Sequence, residues 1–160
     1  MLNLATAMTL TGWSKRTLWR RISDGTLVRN DDSVNTQATK LSWFFLKPHL
    51  CIPLDEADYQ LVEAADGGDA VAQTDLAILF FENERFKAAV YWLELAVKQD
   101  YAEAMHLLGT SFLHGQGVNA SNALGLMWVA KAASLGHIIA TEQLSSITEM
   151  ATAQVWELDP

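Results

Sequence analysis

Several side chains of this 160-residue chain stand at spacings that invite a chemical reading. Ser111 and His114 lie three apart, where a hydroxyl and an imidazole share a helix face, but a repeat helix carries no oxyanion hole to complete such a nucleophile–base pair. Gly115-Gln116-Gly117 has the outline of a phosphate-cradling loop. No strand precedes it and the third glycine of a dinucleotide fingerprint is missing, so a turn between helices explains it better. His106 and His114 are eight apart on one helix, too far to share a metal. His49 and His137 have no cysteine or carboxylate at ligand spacing, so no metal site is expected. Asp55, Glu56 and Asp58 follow Pro53 at the start of a predicted helix, where carboxylates meet the positive end of the helix dipole. The lone Cys51, between Leu50 and Ile52, excludes an internal disulfide and reads as a buried, inert thiol. No catalytic residue, cofactor or metal is assigned, and the chain is not expected to be an enzyme.

The charged residues are more informative. The net charge is -8, yet residues 1–48 hold Lys15, Arg16, Arg20, Arg21, Arg29, Lys40 and Lys47 against Asp24, Asp31 and Asp32, about +4. The remainder carries about -12. Such a bipolar chain suggests two parts with different partners, one of them anionic. Half the residues are apolar, which argues against global disorder. No apolar run reaches the roughly 18 residues of a membrane span, and MLNLATAMTLTGW is too polar for a signal-peptide core. A cytoplasmic protein without a membrane partner is therefore expected.

The basic residues concentrate in GWSKRTLWRRISDG, Gly12 to Gly25. Leu4, Ala5, Ala7, Met8 and Leu10 predict a short helix that stops at Thr11-Gly12. Ser14 is a good N-cap for a second helix to about Asp24, with Gly25 in the left-handed position after it. Leu18, Ile22 and Trp13 form its apolar stripe, leaving Lys15, Arg16, Trp19 and Arg20 on the other surface. Two short helices about a glycine turn have helix-turn-helix geometry, in which the second helix enters a major groove. The pattern resembles the small winged-helix domains of MerR-type regulators and phage excisionase-like proteins. The matching residues are Leu4, Ala7, Gly12, Ser14, Arg16-Thr17-Leu18, Arg20 and Gly25-Thr26-Leu27. That resemblance implies that Ser14, Lys15, Arg16, Trp19 and Arg20 lie against double-stranded DNA, and it leaves open a homodimer. The wing predicted from Leu27 to Arg29, turning at Asn30-Asp31-Asp32, fits less well, because carboxylates repel phosphates. Lys40 to Leu46 reads as strand or helix, with Trp43-Phe44-Phe45 packing the two parts together. A basic head that docks protein instead of DNA is the alternative.

The rest of the chain repeats. Ala70, Ala72, Leu76 and Phe80 recur 32 residues later as Ala102, Ala104, Leu108 and Phe112, while Trp92, Ala96 and Ala104 recur 36 later as Trp128, Ala132 and Ala140. The shift of four is a loop insertion around His114–Gly117. Each unit predicts an antiparallel helix pair that cannot bury its apolar face alone, so stacking is obligatory. The array resembles Sel1-like repeats, relatives of the tetratricopeptide repeats. The second copy carries Ala102, Ala104, Leu108-Gly109, Phe112, Gly115-Gln116-Gly117-Val118, Trp128, Ala132-Ala133 and Gly136. It departs at Ser121, where an acidic or amide residue is usual, and at Gly125, where alanine is usual. The first copy lacks the glycine loop and has Asp100 at the final glycine.

The expected fold is therefore mainly α: a small winged helix-turn-helix head, residues 1–48, followed by an α-solenoid, residues 49–160. The solenoid divides into a cap helix 54–66, repeats 69–99 and 101–135, and a cap helix 137–155, about six helices in a right-handed superhelix. The Sel1 resemblance implies a protein-binding scaffold, with the variable positions Gln73, Thr74, Met105 and His106 as candidate partner contacts. Trp92 and Trp128 are expected in the core. The expected function is a DNA-binding regulator or adaptor whose repeats bind a protein, or, alternatively, a pure protein-interaction module.

Overall fold

The computed structural model describes residues 1–27, 29–30 and 40–156, with side chains over 1–27 and 40–150. Asp31 and Asp32, at the expected wing tip, lie outside the described residues. The chain forms two compact units, Met1–Glu84 and Arg85–Pro160.

The first unit opens with strand β1 (Leu2–Asn3) and helix α1 (Leu4–Thr11). Asn3 caps α1 by accepting the Thr6 N–H, and Gly12, at φ 69°, ends it in the left-handed conformation. Ser14 caps α2 (Lys15–Ser23), its hydroxyl accepting the Thr17 N–H. Strands β2 (Arg29–Asn30) and β3 (Lys40–Leu41) pair antiparallel, and β1 pairs with the other edge of β3, giving the order β1-β3-β2. The segment left open between strand and helix is both: β3 leads into the short helix α3 (Trp43–Leu46). Leu2, Leu10, Leu18, Leu27, Leu41 and Leu46 form the buried core of this region.

Helix α4 (Tyr59–Asp66) starts five residues later than expected. The carboxylates before it fold on one another's backbone: Asp55 Oδ1 accepts the Ala57 N–H at 2.7 Å and Asp58 Oδ2 accepts the Asp55 N–H at 2.8 Å. Such side-chain turns compete with the helical ladder and delay it. At the other end of α4, Asp66 accepts the Asn3 N–H at 3.1 Å and the Thr6 hydroxyl. The basic N-terminal region is thereby tied to α4, so residues 1–48 share a unit with α4 and α5 (Ala70–Glu82). Cys51 is half-buried rather than buried, with its N–H donated to the Leu10 carbonyl at 2.8 Å.

The second unit contains α6 (Phe86–Ala96), α7 (Ala102–His114), α8 (Asn122–Ser134) and α9 (Ile138–Trp156). The starts of α5 and α7 are 32 residues apart and those of α6 and α8 are 36 apart, as the sequence periods predict. Trp92 is buried; Trp128, expected in the core, is half-buried with the Lys131 ammonium 4.5 Å from its ring centroid. Asp100 holds φ 56° at the position where the next copy has Gly136, at φ 86°. Gly109 and Gly125 let α7 and α8 approach closely: a Cβ on Gly109 would stand 2.9 Å from the Gly125 carbonyl oxygen, and one on Gly125 would meet Leu113 at 2.6 Å. That packing explains why alanine is absent from position 125.

The inserted loop has a structural purpose as well. Gly117, at φ 77°, lies against α6 so tightly that a Cβ would stand 2.4 Å from the Phe86 carbonyl oxygen. Gly117→Ala combines left-handed strain with a backbone clash and is expected to lower stability by roughly 2–5 kcal/mol. Gly136→Ala, with φ 86° but open space around it, should cost only about 1 kcal/mol. Urea unfolding of both variants checks this; equal losses would show that the loop is not closed on α6.

Candidate functional site

The nine-residue helix α2 presents Lys15, Arg16 and Arg20 to solvent, with the capping Ser14 also exposed and Trp19 half-buried above the fully buried Leu18. None of these three cations has an ion pair within 4 Å among the described residues. Arg21 is used differently. Its guanidinium carbon lies 4.1 Å from the Trp13 ring centroid, and Trp13 packs on His49 at 4.8 Å. A cation held over an indole face is attracted by the ring quadrupole, so Arg21 belongs to the packing, with its Nε enclosed and without a hydrogen-bond partner, and the exposed charge comes from the other three. After the helix, the Asp24 carboxylate accepts hydrogen bonds from the Thr26 hydroxyl and N–H. Those bonds, helped by the nearby Arg21 and Arg20 charges, hold its pKa below the ordinary value. A fixed negative charge thus marks the C-terminal end of α2.

The four positions expected to face a protein partner are inside. Gln73, Thr74, Met105 and His106 each expose less than a tenth of their surface. Gln73 donates its amide to the Ala65 carbonyl at 3.1 Å and Thr74 its hydroxyl to the Ala70 carbonyl at 2.8 Å. Polar residues on these helices satisfy neighbouring backbone, and a partner cannot reach them.

His106 belongs instead to a cluster that the sequence spacings did not suggest. Glu103 and His106 share a face of α7 at i and i+3, and His137, immediately before α9, joins them. His137 Nε2 is 2.7 Å from Glu103 Oε2, and the two imidazole rings stack with centroids 4.5 Å apart and planes at 24°. The Ala140 N–H donates to His137 Nδ1 at 3.1 Å, so Nδ1 carries the lone pair and Nε2–H donates to the carboxylate. His106 Nε2 lies 3.2 Å from Gln143 Oε1, which makes Nε2 the donor and leaves Nδ1 an enclosed acceptor without a partner. Burial, and then repulsion from His137, lowers the pKa of His106, keeping it neutral. A signal for this cluster was present: His137 stands one 36-residue period after Tyr101, the N-cap of α7. In stacked repeats, such a position lies one layer on, beside the first turn of α7. The other suspected pair separates: the Ser111 hydroxyl donates to the Leu107 carbonyl at 2.9 Å, and His114 Nδ1–H to the Thr110 carbonyl at 2.9 Å.

Apolar surface collects on α8 and α9. Leu135, Ile138, Ile139, Ile147 and Met150 are all exposed, Ile138 to 73%. A groove lies among Leu113, Leu126 and Val129 and the α9 residues Ile139, Glu142, Gln143 and Ile147. Scattered exposed apolar residues are ordinary, but Ile139 and Ile147 are exposed where they line a groove, which marks a candidate contact surface. Among the described residues, no helix is long and apolar enough to cross a membrane.

With this geometry in place, the comparisons with known proteins bear on one part of the chain. No curated protein matches it. A crystal structure of a Sel1 repeat protein from Oxalobacter formigenes is similar, with 29% identity and a TM-score of 0.54 over 57% of this chain and 72% of that one. Residues 70–101 and 102–137 each match the Sel1 repeat, so the successive helix pairs α5–α6 and α7–α8 are Sel1-like in sequence as well as in helix order.

Proposed function

We propose that this chain is a non-enzymatic adaptor whose Sel1-like repeats bind a protein partner through the groove of α8 and α9, and that the occupant is an amphipathic helix with basic flanks. Sel1 repeats generally mediate protein–protein interaction, and the carrying observation is the exposed apolar row along α9. In sequence, α9 corresponds to the first helix of a further pair, so a helix laid beside it would complete the repeat pattern and bury that row. Charge selects the occupant's flanks: over Ile138–Trp156 the only charged residues are Glu142 and Glu149.

The test uses a designed Leu/Lys amphipathic helical peptide and its Leu/Glu counterpart. The Leu/Lys peptide should bind more tightly, and Ile139→Ser with Ile147→Ser should weaken it at least about tenfold, the equivalent of 1.4 kcal/mol, with the helical circular dichroism unchanged. Equal binding by the variant would remove the groove from the reading. A dimer abolished by the same pair of substitutions would make a second copy the occupant instead.

A second reading concerns the head. Exposed Lys15, Arg16 and Arg20 on a short capped helix beside a three-stranded sheet favour duplex DNA as a further partner of residues 1–48, in the manner of a winged helix-turn-helix. Ser14 and Trp19 would complete that contact, and the protein would then be a regulator that links DNA to the repeats' partner. Binding to mixed-sequence duplex should weaken steeply with salt, and Arg16→Ala with Arg20→Ala should reduce the logarithmic slope by about two. Absence of binding at low salt would leave α2 as a protein-docking surface.

A further inference from the structure

Glu103, His106 and His137 have more in common than packing. Each offers one donor atom, and the three donor atoms lie within 4.8 Å of one another. We propose that these residues form a site for one zinc ion that links α7 to the start of α9.

The donor chemistry selects the metal class. Two imidazoles and a carboxylate are borderline ligands suited to zinc and poorly suited to magnesium or calcium, which take oxygen donors. At Zn–N and Zn–O distances of about 2.0–2.2 Å, donors lie at most roughly 4 Å apart. The Glu103 and His137 donors already stand 2.7 Å apart, so the longer separations are those to His106, and bringing all three donors to one ion requires the stacked imidazoles to turn toward a common point. Glu103 can follow that movement: its side chain is 42% exposed and springs from the first turn of α7.

His106 is already arranged as a ligand. Its Nε2–H is held by the Gln143 side-chain oxygen, and its Nδ1 lone pair is enclosed with nothing to accept. A ligating histidine generally donates its other N–H to an oxygen in this way, which fixes the tautomer and turns the free nitrogen to the metal.

His137 pays a defined cost. Zinc at Nε2 displaces the proton now donated to Glu103, and the neutral ring then carries its proton on Nδ1. The Ala140 N–H consequently loses its acceptor. The loss of that one helix-cap bond is small beside the affinity of a zinc ion for three ligands. Three protein ligands leave a fourth position for water or for a donor from a bound partner. The surface there is open, bordered by Ala102, Leu135, Gly136 and Ile138.

The experiment is calorimetric titration of the full chain with zinc chloride, together with thermal melts and amide exchange. One zinc per chain is expected, with a raised Tm and faster exchange of the Ala140 amide. Glu103→Gln and His137→Gln should each weaken binding at least tenfold, whereas His49→Gln and His114→Gln should leave it unchanged. Magnesium should neither bind nor compete. Because Glu103 is half-exposed, Glu103→Gln is expected to keep the metal-free fold, so its loss of binding reads the ligand itself. No stoichiometric binding, or binding that survives Glu103→Gln and is lost in His114→Gln, overturns the proposal. None of the three ligands lines the groove, so loss of peptide binding and loss of zinc binding are read separately.

Discussion

The close approach of α7 and α8 fixes the geometry on which the second unit depends. Where Gly109 meets the Gly125 backbone there is no room for a methyl group, so the two helices pack at a separation that larger residues would not allow. Gly117 adds a second constraint by seating the inserted loop on the start of α6. With these contacts set, α9 follows at a defined place after the turn at Gly136, and His137, immediately before it, lies against the first turn of α7. The Glu103–His137 bond and the imidazole stack are consequences of that spacing.

The first unit is organised by hydrogen bonding at helix ends. Asn3, Ser14 and Asp69 each cap a helix through a side-chain oxygen, and Gly12 supplies the left-handed stop between α1 and α2. Asp66 then joins β1 and α1 to α4 by accepting from the Asn3 backbone and the Thr6 hydroxyl. A carboxylate at the end of an acidic helix thus holds the basic segment in register, and Lys47 makes a further ion pair with Glu56 at 2.9 Å. The two charge regions evident in the sequence are partly bonded to each other within this unit.

What the sequence made legible was local or periodic. The stop at Gly12, the cap at Ser14, the left-handed Gly25 and the four-residue insertion before α8 each depend on a few neighbouring residues or on a repeat count. The start of α4 was misjudged because Asp55 and Asp58 form side-chain turns that only geometry reveals. Gln73, Thr74, Met105 and His106 were misread because variability between repeats does not distinguish a position facing solvent from a buried one; Gln73 and Thr74 bond to neighbouring backbone, and His106 to the Gln143 side chain. The Glu103–His106–His137 cluster was missed because its members were judged by linear spacing, while the fold brings them together through the period. The two-residue strand β1 is too short to give an alternating pattern.

Gln143 has two roles that meet in one side chain: its oxygen holds His106, and its body lines the groove between α8 and α9. Whatever fills the groove and reorients that amide also changes the hydrogen bond that selects the His106 tautomer. Equally, any change at His106 alters the wall that an occupant meets. The two places are therefore thermodynamically linked, and the coupling free energy must be the same in both directions. A single amide thus gives the last helix a means of reporting contact at its surface to the interior of the preceding repeat.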